Sequence, residues 1–300
     1  MSIGLVLGLV AAFCWGSTDV TAAFSGRRLG SLRVAAIVQL TSLVAVVILC
    51  ARGTSGFPTK PEDTIAALVN GVIAAGAYLS FFTALRIGPV SVVAPVVGAY
   101  GGLTVVLAVL IRGETLAPLQ AIGAAVATAG VILTGLISDG GWRGTRIVGR
   151  GVFFSLIAVA CFAILTIGLA GPIRSAGWLP VLLTSRLANA GTIWLIMAVV
   201  LSTRPRAAAP LLQPATDRPP VARRTAIGVA VLGGLLDIGG FVAFAIGLEL
   251  APTWIVGLAS SFGPVVSVVV AVLFWGERLR PNQWLGLAGI AAGLVAVALP

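Results

Sequence analysis

Ten runs of about 20 largely apolar residues follow one another along the chain, near 3–24, 32–51, 64–86, 90–111, 118–138, 151–170, 178–201, 225–247, 253–274 and 282–299. A run of that length crosses the hydrocarbon core of a bilayer as a helix, which bonds every backbone amide within its own segment. The expected fold is therefore an all-α membrane protein with ten transmembrane helices. Composition agrees, since 59% of the residues are hydrophobic, 9% are charged and the mean hydropathy is +1.11. A soluble domain carries about 25% charged residues. The connections are short and marked by Gly and Pro, apart from residues 202–224, whose prolines and arginines read as a solvated loop. The first run has the length of a secretory signal but lacks a basic n-region and a small-x-small cleavage site, so it is expected to remain as a mature helix.

The net charge of +10 belongs to topology rather than to nucleic-acid binding, because the arginines sit almost wholly between the runs. Fourteen (Arg27, Arg28, Arg33, Arg86, Arg143, Arg146, Arg150, Arg204, Arg206, Arg218, Arg223, Arg224, Arg278 and Arg280) fall in the odd-numbered connections. Four basic residues (Arg52, Lys60, Arg112 and Arg174) fall in the even-numbered ones. The positive-inside rule then places the odd connections in the cytoplasm and both termini outside. Cys14, Cys50 and Cys161 lie within apolar runs at no metal-binding spacing, which points to packing. With no histidine, the usual zinc ligands and the Ser-His-Asp arrangement are missing, and neither a metal nor a cofactor is expected.

Displacing the sequence by 163 residues aligns 84–131 with 247–294 without a gap. Gly113, Glu114, Leu116, Pro118, Gln120, Gly123 and Gly130 meet Gly276, Glu277, Leu279, Pro281, Gln283, Gly286 and Gly293, and Pro89 meets Pro252. Gly76 and Phe81 fall on Gly239 and Phe244. The expected organisation is two five-helix repeats, residues 1–138 and 151–300, joined by a linker at 139–150. A unit that crosses an odd number of times hands the chain on upside down, so the repeats are inverted, with a site at their interface and alternating access as the consequence. In the paired connectors IRGETLAPLQ and FWGERLRPNQ, glycine ends the incoming helix and proline opens the next. Glu114 and Glu277 lie near the starts of the fifth and tenth helices, where the helix dipole favours negative charge, and a gate contact is the other reading.

FCWGSTDV in the first run, ALRIGPVSVVAPV at 84–96 and the GETL/GERL pair resemble the EamA family of the drug/metabolite transporter superfamily, over residues 3 to 299. The resemblance implies a basket-like bundle of two inverted five-helix repeats in the bacterial inner (cell) membrane, exporting metabolites or toxic compounds without ATP hydrolysis. It also implies cytoplasmic termini, opposite to the arginine count.

A charge inside a spanning helix costs about 2.5–3.5 kcal/mol, so it marks a functional site by default. Asp19, Arg186 and Asp237 are those charges. Asp237 is flanked by Gly233, Gly234, Gly239 and Gly240, which let a backbone or a ligand approach, and its repeat partner is Ala74. Asn189 shares a face with Arg186, and Gln39 and Ser42 hold the matching positions in the second run. Trp15, Tyr78, Tyr100, Trp194 and Phe241 are the candidate walls, and Pro95 and Pro264 the candidate bends that gate the cavity. The plain alternative is an ion pair between Arg186 and an aspartate that holds helices together. Gly289 and Gly293 stand at GxxxG spacing, which serves packing against the fifth helix or dimerisation.

The expected function is secondary active export of a small polar or zwitterionic, amino-acid-like metabolite, with Arg186 meeting its carboxylate and the aspartates its ammonium or a coupling proton. The partners are then a small-molecule substrate, the lipid bilayer and protons; oligomeric state is left open. Asp237→Asn is expected to abolish transport and leave folding intact. Proton-coupled efflux of lipophilic cations is the alternative within the class. An intramembrane enzyme would need a nucleophile–base pair or a metal cluster, and the sequence offers neither.

Overall fold

The computed structural model describes residues 3–51, 56–88, 90–135, 150–203, 209–213, 222–275 and 281–298. Arg52, Pro89, Arg143, Arg146, Arg204, Arg206, Arg218, Gly276, Glu277, Arg278, Leu279, Arg280 and most of the linker lie outside the described residues. Within them the chain is helical: α1 (Ile3–Leu29), α2 (Ser31–Ala51), α3 (Pro61–Ile87), α4 (Val90–Gly98), α5 (Tyr100–Arg112), α6 (Pro118–Gly135), α7 (Arg150–Ala176), α8 (Trp178–Thr203), α9 (Ala209–Leu212), α10 (Arg223–Leu250), α11 (Thr253–Ser260), α12 (Gly263–Trp275) and α13 (Pro281–Ala298). Among the described residues, eight segments are long and apolar enough to cross a membrane, counting α4 with α5 and α11 with α12 as single segments. The molecule is a multi-pass membrane protein.

The fourth and ninth apolar runs, expected as single helices, are each broken. Pro264 has no amide hydrogen to bond the Ser260 carbonyl and its ring crowds that oxygen, which disfavours an unbroken helix at this point. The turn tightens instead, with the Ser261 amide reaching the Leu258 carbonyl at 3.1 Å and the Phe262 amide the Ala259 carbonyl at 3.4 Å. In the first half the Ala99 amide bonds the Val96 carbonyl at 3.2 Å, one turn after Pro95. Ala99 and Phe262 are 163 residues apart, so both breaks fall at one point of the repeat.

Helix contacts come in matched pairs: α1 packs on α10 as α7 packs on α3, α2 on α10 as α8 on α3, and α5 on α11 as α12 on α4. Single glycines with positive φ, Gly30 (φ 90°) and Gly177 (φ 84°), join α1 to α2 and α7 to α8, 147 residues apart. Gly113 (φ 64°) ends α5 and Pro118 opens α6 as expected.

The contact of α6 with α13 is reciprocal. A Cβ at Gly123 would stand 2.9 Å from the Gly293 carbonyl, and one at Gly130 would stand 2.6 Å from the Gly286 carbonyl. Since Gly286 and Gly293 are the repeat mates of Gly123 and Gly130, each helix meets the other's counterpart, running antiparallel. The spacing at Gly289 and Gly293 thus serves packing inside the molecule, on α6. Gly130→Leu pushes a side chain against backbone on α13, and overpacking of this kind costs about 1–3 kcal/mol. A lower unfolding midpoint in detergent is the expected result, and an unchanged midpoint would show that the two helices are not held together here.

Candidate functional site

The glycines around Asp237 are filled by neighbouring helices and not by a ligand space. A Cβ at Gly240 would lie 2.7 Å from the Trp15 ring, and one at Gly234 would lie 2.7 Å from the Val38 carbonyl. These contacts draw α1 and α2 onto α10. Hydrogen bonds fasten the seam, from the Trp15 indole to the Asp237 carbonyl (3.3 Å), Thr18 to the Gly233 carbonyl (3.3 Å) and Ser25 to the Ala226 carbonyl (2.9 Å).

Asp237 is wholly buried and Arg186 is 1% exposed; their charges meet at 2.9 Å between Nη1 and Oδ2. The Tyr78 hydroxyl donates to Asp237 Oδ1 and Ser42 donates to Oδ2 at 2.9 Å. Gln39 Oε1 accepts from Arg186 Nη1 and from Asn189 Nδ2, the latter at 3.0 Å. The guanidinium lies over the Phe241 ring, 3.8 Å from its centroid, a cation–π contact that a desolvated site strengthens. Gln39 and Arg186 are mates at the 147-residue offset, as are Ser42 and Asn189, so the network sits where α2 meets α8. The internal ion pair is the arrangement found, and the carboxylate of Asp237 is largely saturated by it.

Beside the network lies a cavity lined by residues from both halves of the chain. Its walls are Trp15, Tyr78, Phe81, Phe82, Tyr100, Phe162, Phe241 and Phe244, with Thr18, Asp19, Thr166, Asp237, Ser260 and Pro264 among the remaining lining residues. The rings interlock, Trp15 meeting Phe241 edge-on at 4.9 Å between centroids, and Phe162 meeting Tyr78 edge-on at 5.7 Å. These two contacts are mates, because Trp15 corresponds to Phe162 at an offset of 147 and Tyr78 to Phe241 at 163.

Charge breaks the symmetry. Asp19 lines the cavity, and its mate is Thr166. Gly16 lets α1 close on α12, where a side chain would overlap the Gly263 carbonyl. That approach brings Ser267 to donate to Asp19 Oδ2 at 3.1 Å. Among the described residues no Lys or Arg stands within ion-pair distance of Asp19, and none lines the cavity.

Of the residues nominated from sequence, Asp19, Trp15, Tyr78, Tyr100, Phe241, Asp237 and Pro264 line the cavity. Arg186, Asn189 and Gln39 are buried behind it and do not line it. Trp194 is 44% exposed on the outside of α8 and also does not line it. Pro95 lies within α4, one residue past the lining Ala94. Phe81 and Phe244 were read only as repeat mates, and Phe82, Phe162, Thr166 and Ser260 were not nominated for the site. The repeat offsets carried the signal for Phe162 and Thr166, which are the mates of Trp15 and Asp19.

The match to the EamA-like transporter family covers residues 2–136 and 149–299. The chain belongs to that family. A solved crystal structure of another protein is similar to this EamA-like transporter over 98% of this chain and 95% of its own, with a TM-score of 0.71 and 20% sequence identity. At that identity the likeness is one of fold. No curated protein matches the chain. Membership makes the cavity a candidate transport site for a small molecule and the surrounding lipid its working environment.

Proposed function

We propose that this EamA-like protein is a secondary transporter exporting small organic cations of aromatic or bulky apolar character across the bacterial cell membrane. The observation that carries the reading is the aromatic cavity whose carboxylate at Asp19 faces no cationic side chain among the described residues, while Asp237 is already neutralised by Arg186. Aromatic faces and a carboxylate are the recognition chemistry of a substituted ammonium. The zwitterion reading needs Arg186 for the substrate's carboxylate, and the ion pair with Asp237 occupies that group. Coupling follows from Asp19, which can hold the cation or a proton but not both, so the two exchange.

Alternating access rests on ten crossings in two inverted repeats, residues 1–138 and 151–300 joined by 139–150. Each broken pair makes one crossing, and α6 and α13 are the remaining two. Support comes from the paired helix contacts, the coincident breaks and the reciprocal, antiparallel glycine contacts of α6 with α13. A ligand that binds only the folded state at about 100 times its Kd stabilises by about 2.7 kcal/mol. Ethidium, a flat aromatic quaternary ammonium, is therefore expected to raise the melting temperature of the purified protein and to do so far less in Asp19→Asn. Stabilisation by zwitterionic amino acids and none by ethidium would defeat the proposal.

A further inference from the structure

Glu114 does not sit on the helix that its place in sequence suggests. It was expected at the start of α6, yet its two carboxylate oxygens accept the backbone amides of Thr253 (3.1 Å) and Trp254 (3.0 Å), at the start of α11. Those are two of the four amides that a helix leaves without internal partners. The carboxylate comes from the first half of the chain and the helix from the second, 139 residues away. Arg174, in the last turn of α7, completes the cluster, with Nη2 3.5 Å from Glu114 Oε1. The same side chain donates to the Leu248 carbonyl (3.0 Å), the Ala251 carbonyl (2.9 Å) and Thr253 Oγ1 (3.1 Å). Arg112 approaches Glu114 Oε1 at 3.8 Å. The ends of α5, α7, α10 and α11 are thereby tied together at one end of the bundle.

Part of this cluster is repeated at the opposite end. Arg27 and Arg174 are mates at the 147-residue offset, and Gly88 and Ala251 are mates at the 163-residue offset. Arg27 donates from Nη2 to the Gly88 carbonyl at 3.1 Å, atom for atom the contact of Arg174 with Ala251. The contacts Arg27–Gly88 and Arg174–Ala251 each lie within one half of the chain, whereas Glu114 reaches from the first half to the start of α11 in the second. A tie of the Glu114 kind suits a molecule that opens one end at a time, because it spans a joint between the halves that has to part.

We infer that Glu114 is a latch, holding its end of the cavity shut until it leaves the Thr253 and Trp254 amides. This rests on the alternating-access reading above but not on the identity of the substrate. The test places one reporter in the cavity, Leu165→Cys, in full-length protein with Cys14, Cys50 and Cys161 changed to Ser. The protein is reconstituted in vesicles, and labelling by a membrane-impermeant maleimide is measured from each face. Glu114→Ala and Arg174→Ala are expected to raise labelling from the Glu114 face about tenfold, a shift of ~1.4 kcal/mol between the two shapes, and to lower it from the other face. If Glu114→Ala is not recovered folded, Glu114→Gln, which keeps one acceptor oxygen, is read the same way with a smaller shift. Labelling that is unchanged, or that rises equally from both faces as in a merely loosened bundle, overturns the latch. The readout uses no substrate, so a failure of ethidium binding leaves it intact, and its own failure leaves the cation reading intact.

Discussion

Asp237→Ala is expected to destabilise the folded protein by about 3–5 kcal/mol, the usual cost of removing one partner from a buried ion pair. Arg186, 1% exposed, would keep its charge with no anion beside it, and Tyr78 and Ser42 would lose their acceptor. Replacing both partners by apolar residues, as in Arg186→Met with Asp237→Leu, is expected to recover the part of that loss due to the uncompensated charge, while Tyr78 and Ser42 stay without their acceptor. Denaturant unfolding in detergent measures both. A single variant as stable as the wild type would show that the pair contributes nothing to the fold. The ion pair also changes what Asp237→Asn can test. It was expected to abolish transport with folding intact, but it too leaves Arg186 uncompensated, so lost transport alone would not identify a substrate contact. The double replacement separates the two roles, because on this account it still binds ethidium.

Asp19→Asn is expected to do the opposite, removing function and sparing the fold. Its carboxylate takes a hydrogen bond from Ser267, which an amide oxygen accepts equally well, so the stability change stays within about 1 kcal/mol. A buried cation that loses its charged partner gives up about 2 kcal/mol or more, which is more than tenfold in affinity. Ethidium flux in vesicles at sub-saturating concentration is expected to fall by at least that factor, with the unfolding midpoint barely moved. Flux at the wild-type level from folded Asp19→Asn would remove the aspartate from the site.

Eight spans, the duplication and the punctuation of the first connector were legible in the sequence, because each depends on local physics. Hydrocarbon thickness sets run length, αL geometry selects Gly113, and Pro118 suits a first helical turn. The three intramembrane charges were legible too, since such charges are costly wherever they point. What local rules could not decide was which charges would meet. Asp237 and Arg186 lie on α10 and α8 and touch only once α2 and α3 have packed around them, and that choice left Asp19 as the cavity's unpaired carboxylate. Trp194 was nominated as a wall because it is aromatic and close to Arg186 in sequence, yet its place on α8 turns it outward. Phe162 and Thr166 were hidden for a plainer reason. The long connection at 202–224 changes the repeat offset from 147 to 163, so the single displacement that reveals the last three helices of each half passes over the first two. Glu114 is the case where a sound local rule picked the wrong helix: its charge does favour a helix start, but the helix is α11, from the other half.

Counterflow is the most direct measurement of the central claim, that a cation-selective cavity is offered to the two faces in turn. Vesicles preloaded with unlabelled ethidium are given labelled ethidium outside, with no gradient imposed. The account predicts that preloading accelerates entry of label and that Asp19→Asn abolishes the acceleration. Entry indifferent to preloading, or no faster than in protein-free vesicles, would contradict it.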